Sequence, residues 1–450
     1  MEKENTQQER AAAAALAEAL GNLPLALEQA AAYATRAGLS LADYLGLFRA
    51  SRPEVEARAT GSEEYPPALA TTFDISFTRL QTESPAAAEL LTLCAFLAPD
   101  EVPLEILKDG AGHLPPALAA AAADPEALAA LAATLQTYAL AKVRGGSFLT
   151  LHHFVQAAAR DRLSEDDRKT WAGTAVHLMN AAFPYEDDDP QTWEESSRLL
   201  QHALRAAAHA RELHVSERAT ADLLNLVGLY LLNKAELVES KAALEQALEL
   251  NKATSVSKNH RVAVCLNNLG RVLQEQGHLK ESQSYLEQAL AINEDVFGPD
   301  DPEVAINLNN LGEVLRLQGD LENAKERLGR ALAIDEASLS PDNPRIAIRL
   351  NNLGAVLQAL GNLDEARSSY ERALAIDEAA YGRDHPNIGI RLNNLGTIFQ
   401  KKGDLDGARA NFERALQILR VMLGEKHPWT LVVKENLRQV VFRNEDARGT

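Results

Sequence analysis

The sequence predicts an all-α dominated fold: a small helical subdomain at the N-terminus, a module with one short β-hairpin, then an α-solenoid over the C-terminal half. Three observations predict it. The pattern Asn267-Asn268-Leu269-Gly270 returns at Asn309, Asn351 and Asn393, each time 42 residues further on. Prolines 302, 344, 386 and 428 and alanines 289, 331, 373 and 415 keep the same period. A fixed period between about 20 and 50 residues marks stacked supersecondary units. Aromatic residues make up only 5%, while Ala-rich runs such as Ala11–Ala15 and Ala119–Ala123 abound, a balance that favours helices over a sandwich of strands.

Length and charge bound the rest. At about 150 residues per domain, 450 residues suggest about three domains. Lys and Arg total 45 against 64 Asp and Glu, a formal charge of -19. That balance repels phosphate and anionic lipid, so nucleic acid is not an expected partner. Cys94 and Cys265 are too few for a zinc set or a disulfide framework, and each lies in an apolar helical stripe. A buried structural role in a reducing, cytoplasmic setting is expected. Residues 1–10 are polar and unlike a secretion signal, and no run of 18 or more apolar residues suggests a membrane span.

Within one repeat, Leu308, Leu311, Val314 and Leu315 form a helical stripe. Gly319-Asp320 breaks the chain, and a second helix from Leu321 to about Glu336 carries Ala324, Leu328 and Ala331. Ser340 to Pro344 is a turn-rich linker into the next pair. Each unit is an αα-hairpin in which Gly312 and Ala331 allow close approach of the two helices. One hairpin cannot bury both faces, so neighbours must stack.

These residues resemble the tetratricopeptide repeat (TPR), specifically the 42-residue variety of kinesin light chains and many bacterial signalling proteins. The match rests on Leu-Asn-Asn-Leu-Gly and on Ala366, Tyr370 and Ala373 in the second helix. It implies a right-handed TPR solenoid over 220–442. Repeats are expected at about 220–261, 262–303, 304–345, 346–387 and 388–429, with a capping helix at 429–442. Residues 165–219 read as a degenerate helical hairpin or linker around the acidic loop Glu186–Asp189. The resemblance also implies that Asn268, Asn310, Asn352 and Asn394 point into the concave groove, where an amide can hold a peptide backbone with donor and acceptor. A second reading of the same residues is that they bond to adjacent helices and hold the superhelical pitch. Arg271, Glu313 and Thr397, with Gln274, Arg316, Gln358 and Gln400 one turn on, would set specificity. Arg349 and Arg391 occupy matching positions, to meet an acidic ligand or to lie solvated on the surface.

The N-terminal half has a different character. A helix ends near Gly21, and Pro24 opens another that reaches about Ala37. Asn22-Leu23-Pro24-Leu25-Ala26-Leu27 resembles a motif of NB-ARC domains, the nucleotide switches of STAND-class regulators. Residues 1–60 would be a remnant of their helical subdomain and 61–164 their winged-helix domain. The latter rests on Tyr65–Phe77, Leu93–Asp100, a third helix at Ala127–Tyr138 and a wing turning at Arg144-Gly145-Gly146. Leu151-His152-His153 falls where that family has Met-His-Asp. The resemblance therefore places His152 at the β-phosphate of bound ADP and Pro24 near its adenine; otherwise His152 is a packed corner histidine and Pro24 a helix-start proline. No Gly-x-x-x-x-Gly-Lys-Ser/Thr occurs, so this chain by itself has no phosphate cradle. It resembles the part of a STAND protein that follows the ATPase core, with ADP or ATP bound only where such a core precedes it.

No catalytic constellation emerges, and the chain is expected not to be an enzyme. Adjacent His152 and His153 cannot chelate comfortably, and Asp187-Asp188-Asp189 lacks the alternating ligands and glycine of a calcium loop. The expected function is a non-catalytic sensor and scaffold: the TPR groove binds a protein or peptide, and the winged helix relays to a nucleotide-binding core absent here. A full-length form would oligomerise when activated. The alternative is a winged-helix DNA-binding regulator with a TPR sensor. Residues 127–138, however, contain no Lys, Arg or Asn to reach phosphates or base edges.

Overall fold

The computed structural model describes residues 2–58, 66–186, 189, 191–254 and 259–449, with side chains described between residues 7 and 443 except those of 57 and 58. The 60/61 boundary, Tyr65, Asp187 and Asp188 lie outside the described residues. Among the described residues, twenty-two α-helices and three short strands fall into two compact units, residues 1–254 and 255–450.

In the first unit, helices α1 (Glu2–Ala19), α2 (Pro24–Ala37) and α3 (Leu41–Arg58) share a core with α4 (Pro67–Glu83). Leu20, Ala26, Ala30, Tyr44 and Phe48 are completely buried there. Proline begins α2 and α4 because its missing N–H lies where no intrahelical partner exists. Then follow α5 (Pro85–Cys94), β1 (Val102–Pro103), α6 (Ile106–Asp109), α7 (Pro116–Ala122), α8 (Pro125–Thr137), β2 (Lys142–Arg144) and β3 (Phe148–Thr150). The strands form an antiparallel sheet in the order β1-β3-β2, with Val143 opposite Leu149. Gly145 and Gly146 turn the hairpin at φ +55° and +75°, a backbone that side chains with a Cβ seldom adopt. Helices α9 (His153–Asp161), α10 (Glu165–Ala182), α11 (Gln191–Glu212), α12 (Glu217–Asn233) and α13 (Leu237–Ala253) complete the unit. The earliest repeat, α12 with α13, thus belongs to the first compact unit.

The second unit is a regular stack. Its first helices are α14 (His260–Glu275), α16 (Pro302–Gln318), α18 (Pro344–Ala359) and α20 (Pro386–Lys401). Their partners are α15 (Leu279–Phe297), α17 (Leu321–Ser338), α19 (Leu363–Tyr381) and α21 (Leu405–Leu423), and α22 (Pro428–Gly449) ends the unit. Asp301 and Asn343 cap α16 and α18 by accepting the N–H groups of Glu303 and Arg345 at 2.8 and 2.9 Å. The two helices of a pair meet at glycine: a Cβ on Gly312 would lie 2.6 Å from Leu328 Cγ, and one on Gly354 2.8 Å from the Tyr370 ring. The expected steric role of the small residues holds, with Ala331 fully buried beside them.

Candidate functional site

Successive first helices (α14, α16, α18, α20 and α22) pack directly on one another, while no comparable packing joins successive second helices among the described residues. The side of a curved stack on which neighbours touch is its shorter, inner side. The first helices therefore form one wall, and the four asparagine pairs all stand on it.

Those asparagines form a continuous amide ladder. Asn310 donates to Asn267 Oδ1 at 3.0 Å, Asn352 to Asn309 at 3.0 Å and Asn394 to Asn351 at 2.8 Å. Within each pair the first asparagine donates to the second, at 3.1 Å for Asn309 to Asn310 and 3.2 Å for Asn351 to Asn352. Asn436, on the terminal helix, continues the series by donating to Asn393 at 2.8 Å. Asn310, Asn352 and Asn394 thus bond to the adjacent first helix, whereas Asn268 accepts from Asn267 on its own helix. Asn310, Asn352 and Asn394 nevertheless stay half-exposed, and each spends one amide hydrogen in the ladder. Asn268 is buried.

The flanking positions are varied. Arg316 forms a two-pronged pair with Glu313 on its own helix, at 2.9 and 2.5 Å. Gln358 accepts the Tyr370 hydroxyl at 3.4 Å, and the Thr397 hydroxyl donates to the Asn393 carbonyl at 3.0 Å. Arg271, Gln274 and Gln400 are half-buried.

Arg349 and Arg391 require correction. Neither faces a ligand nor lies solvated: each is 4% exposed. Arg349 Nε donates to Asp335 Oδ2 at 2.9 Å, and Arg391 Nε to Asp377 Oδ2 at 3.0 Å. Each aspartate sits on the second helix of the preceding repeat, so both ion pairs lie in the seam between repeats. Burial pulls both guanidinium pKa values downward against the raising effect of the aspartates. The same seam carries other chemistry elsewhere: Asn293 donates to Asn307 at 2.7 Å, and the corresponding Leu419 and Val433 are completely buried. Asp335 and Asp377 recur 42 residues apart, as Arg349 and Arg391 do, so the pair repeats as a unit.

A second candidate site lies in the first unit. A cleft of about 840 Å³ is lined by both Pro24 and His152, together with Leu23, Leu69, Lys142 and Phe154. The two residues singled out for a nucleotide thus share one cleft. His152 also caps α9, its Nδ1 accepting the Phe154 N–H at 3.3 Å. Partial desolvation, then the neighbouring His153 and Lys142, lower its pKa. The lining offers apolar walls and a few cations but no glycine-rich loop, so these residues alone do not fit a complete nucleotide site. Cys94 is buried, which pushes its thiol up to about 12, and Cys265 is buried too. No cluster of three metal-ligating side chains and no single helix long and apolar enough to cross a membrane occur among the described residues.

The stack, its glycine contacts and its ladder define a tetratricopeptide array. The tetratricopeptide repeat family matches residues 217–295, 262–337, 345–420 and 391–447, and a domain of unknown function (DUF7779) matches 78–168. A nucleotide-binding leucine-rich repeat (NLR)-like protein of Hyaloscypha variabilis is 26% identical over 247 residues. That stretch is 52% of this chain and 23% of the relative, so the chain spans about a quarter of that protein's length. Among solved structures, BtubC (BKLC) from P. vanneervenii is similar with a TM-score of 0.42 and 22% identity, covering 52% of this chain and 92% of that one. A structure of nearly identical TPR-like repeats from Podosopora anserina is similar with a TM-score of 0.38 and 20% identity, covering 48% of this chain and 98% of that one.

Proposed function

We propose that this chain is a non-catalytic protein-interaction scaffold of a STAND-type signalling regulator, its TPR groove recognising a segment of a partner protein. The observation that carries this is the inner wall, where Asn310, Asn352 and Asn394 remain half-exposed with amide hydrogens beyond those the ladder uses. The TPR repeats suit a scaffold, and the NLR-like relative suits a signalling regulator. The module of α4 to α9 with its β2–β3 hairpin has the element order of a winged helix, and it would relay partner binding to a nucleotide-binding core on another polypeptide segment. The cleft at Pro24 and His152 would close against that core and supply one side of its nucleotide pocket.

The test is capture of cellular proteins by the full chain and by Asn310→Ala/Asn352→Ala, with thermal unfolding as the folding control. A specific partner held by the parent and lost from a folded variant is expected. Equal capture by both, or by neither, would remove the groove from the function. For the DNA-binding alternative, exposed Lys142 and Arg144 on the hairpin are the favourable observation. Tight, salt-sensitive binding of duplex DNA would establish it in place of the scaffold reading.

A further inference from the structure

The groove carries a second row beside its amides. One turn before each second asparagine stands a β-branched aliphatic residue: Val264, Ile306, Ile348 and Ile390, continued by Val432 on the terminal helix. Residues four apart share a helix face, so this row runs parallel to the asparagines. The first four are half-exposed and Val432 is 46% exposed. Aliphatic side chains in these helices are otherwise mostly buried, so a row left partly exposed at the same point of α14, α16, α18, α20 and α22 is a repeated apolar surface.

The arginines near this row are engaged. Arg316 is tied to Glu313 on the wall, Arg271 is engaged as well, and Arg349 and Arg391 lie away from the groove, spent on Asp335 and Asp377 in the seam. A strongly acidic ligand would find few uncommitted cations here, and the chain's formal charge of -19 would oppose it.

We infer that the groove takes an uncharged peptide in the polyproline II conformation with an aliphatic side chain at every third residue; this rests on the groove reading proposed above. Touching helices pack about 8–10 Å apart, so the aliphatic row advances by roughly that distance per repeat. A polyproline II chain rises about 3.1 Å per residue with three residues per turn, so every third side chain returns to the same face after about 9 Å. A β-strand covers the same distance in about three residues, but its side chains alternate and the third faces away. A helical ligand satisfies its own carbonyls, leaving the spare asparagine hydrogens nothing to meet. Polyproline II has no internal hydrogen bonds, so each turn offers carbonyls to one amide of the ladder.

The experiment measures fluorescence anisotropy of labelled peptides against the full chain. One probe repeats Val-Pro-Gln, a second has the same composition with the valine spacing scrambled, and a third has glutamate in place of valine. The regular aliphatic probe is expected to bind at least about tenfold tighter than either other, with an affinity that changes little as salt is raised. Ile348→Asn should weaken it and Ile348→Val restore it, both variants melting like the parent. Equal binding of the scrambled probe would overturn the spacing, and preference for the acidic probe would overturn the ligand chemistry; either leaves the groove reading standing. Failure of all three probes also overturns the inference, and only if partner capture fails as well does the groove reading fall with it.

Discussion

Replacing Asp335 by alanine tests the repeat seam most directly. The Arg349 side chain is 5% exposed and its carboxylate partner completely buried, so removing the carboxylate strands a cation away from water. Breaking a buried pair on one side typically costs about 3–5 kcal/mol, whereas replacing both partners by well-packed apolar residues is neutral or stabilising by about 1–4 kcal/mol. The protein contains its own apolar version: Leu419 and Val433 occupy the corresponding positions two repeats on. Asp335→Leu/Arg349→Val should therefore equal or exceed the parent in stability, while Asp335→Ala falls well below it. With two compact units, a single global transition is not assumed. Native-state hydrogen exchange of Leu321–Ser338 and Pro344–Ala359 is the suitable assay. A loss of about 3–5 kcal/mol corresponds to a protection decrease of roughly 150- to 5000-fold, if opening of these helices exposes Arg349. Equal losses in the single and double variants, or less than about 1 kcal/mol for Asp335→Ala, would refute the reasoning.

Three further outcomes are expected. Gly354→Leu drives a side chain into the Tyr370 ring and should cost on the order of 1–3 kcal/mol, read as a lower melting temperature; unchanged melting would remove Gly354 from a helix–helix contact. Glu83 is held at about 2, first by the Tyr138 hydroxyl and then by Arg79 and Arg36. Its folded pKa lies below the ordinary carboxylate value, so its contribution is present above about pH 4.5 and fades as pH falls towards 2. Glu83→Gln should accordingly destabilise the first unit by about 1 kcal/mol at neutral pH, with the difference from the parent vanishing near pH 2 in acid-unfolding curves. Finally, a thiol reagent at neutral pH should label neither Cys94 nor Cys265 until the chain is denatured; rapid labelling of the native protein would contradict their burial.

Much of the architecture was legible because repetition amplifies weak signals. A lone Asn-Asn-Leu-Gly says little, but four of them 42 residues apart specify the period, the turns and the small residues at Gly312 and Gly354. The hairpin at Gly145 and Gly146 was legible for a local reason: two adjacent positive-φ positions need glycine. Arg349 and Arg391 were misread because an arginine's sequence neighbours do not reveal its counter-ion, which here lies 14 residues upstream on another helix. The asparagine ladder was open to two readings for the same reason, since an amide can bond to a ligand or to the next repeat with equal chemistry.

Sequence alone settled the identity and order of the repeating units, because helix periodicity, proline starts and glycine ends act within a few residues of chain. Which polar groups are consumed between repeats and which remain for a partner was decided only in three dimensions. Burial and pairing depend on residues brought together by stacking: Asp335 on Arg349, Asn310 on Asn267 and Pro24 beside the cleft of His152.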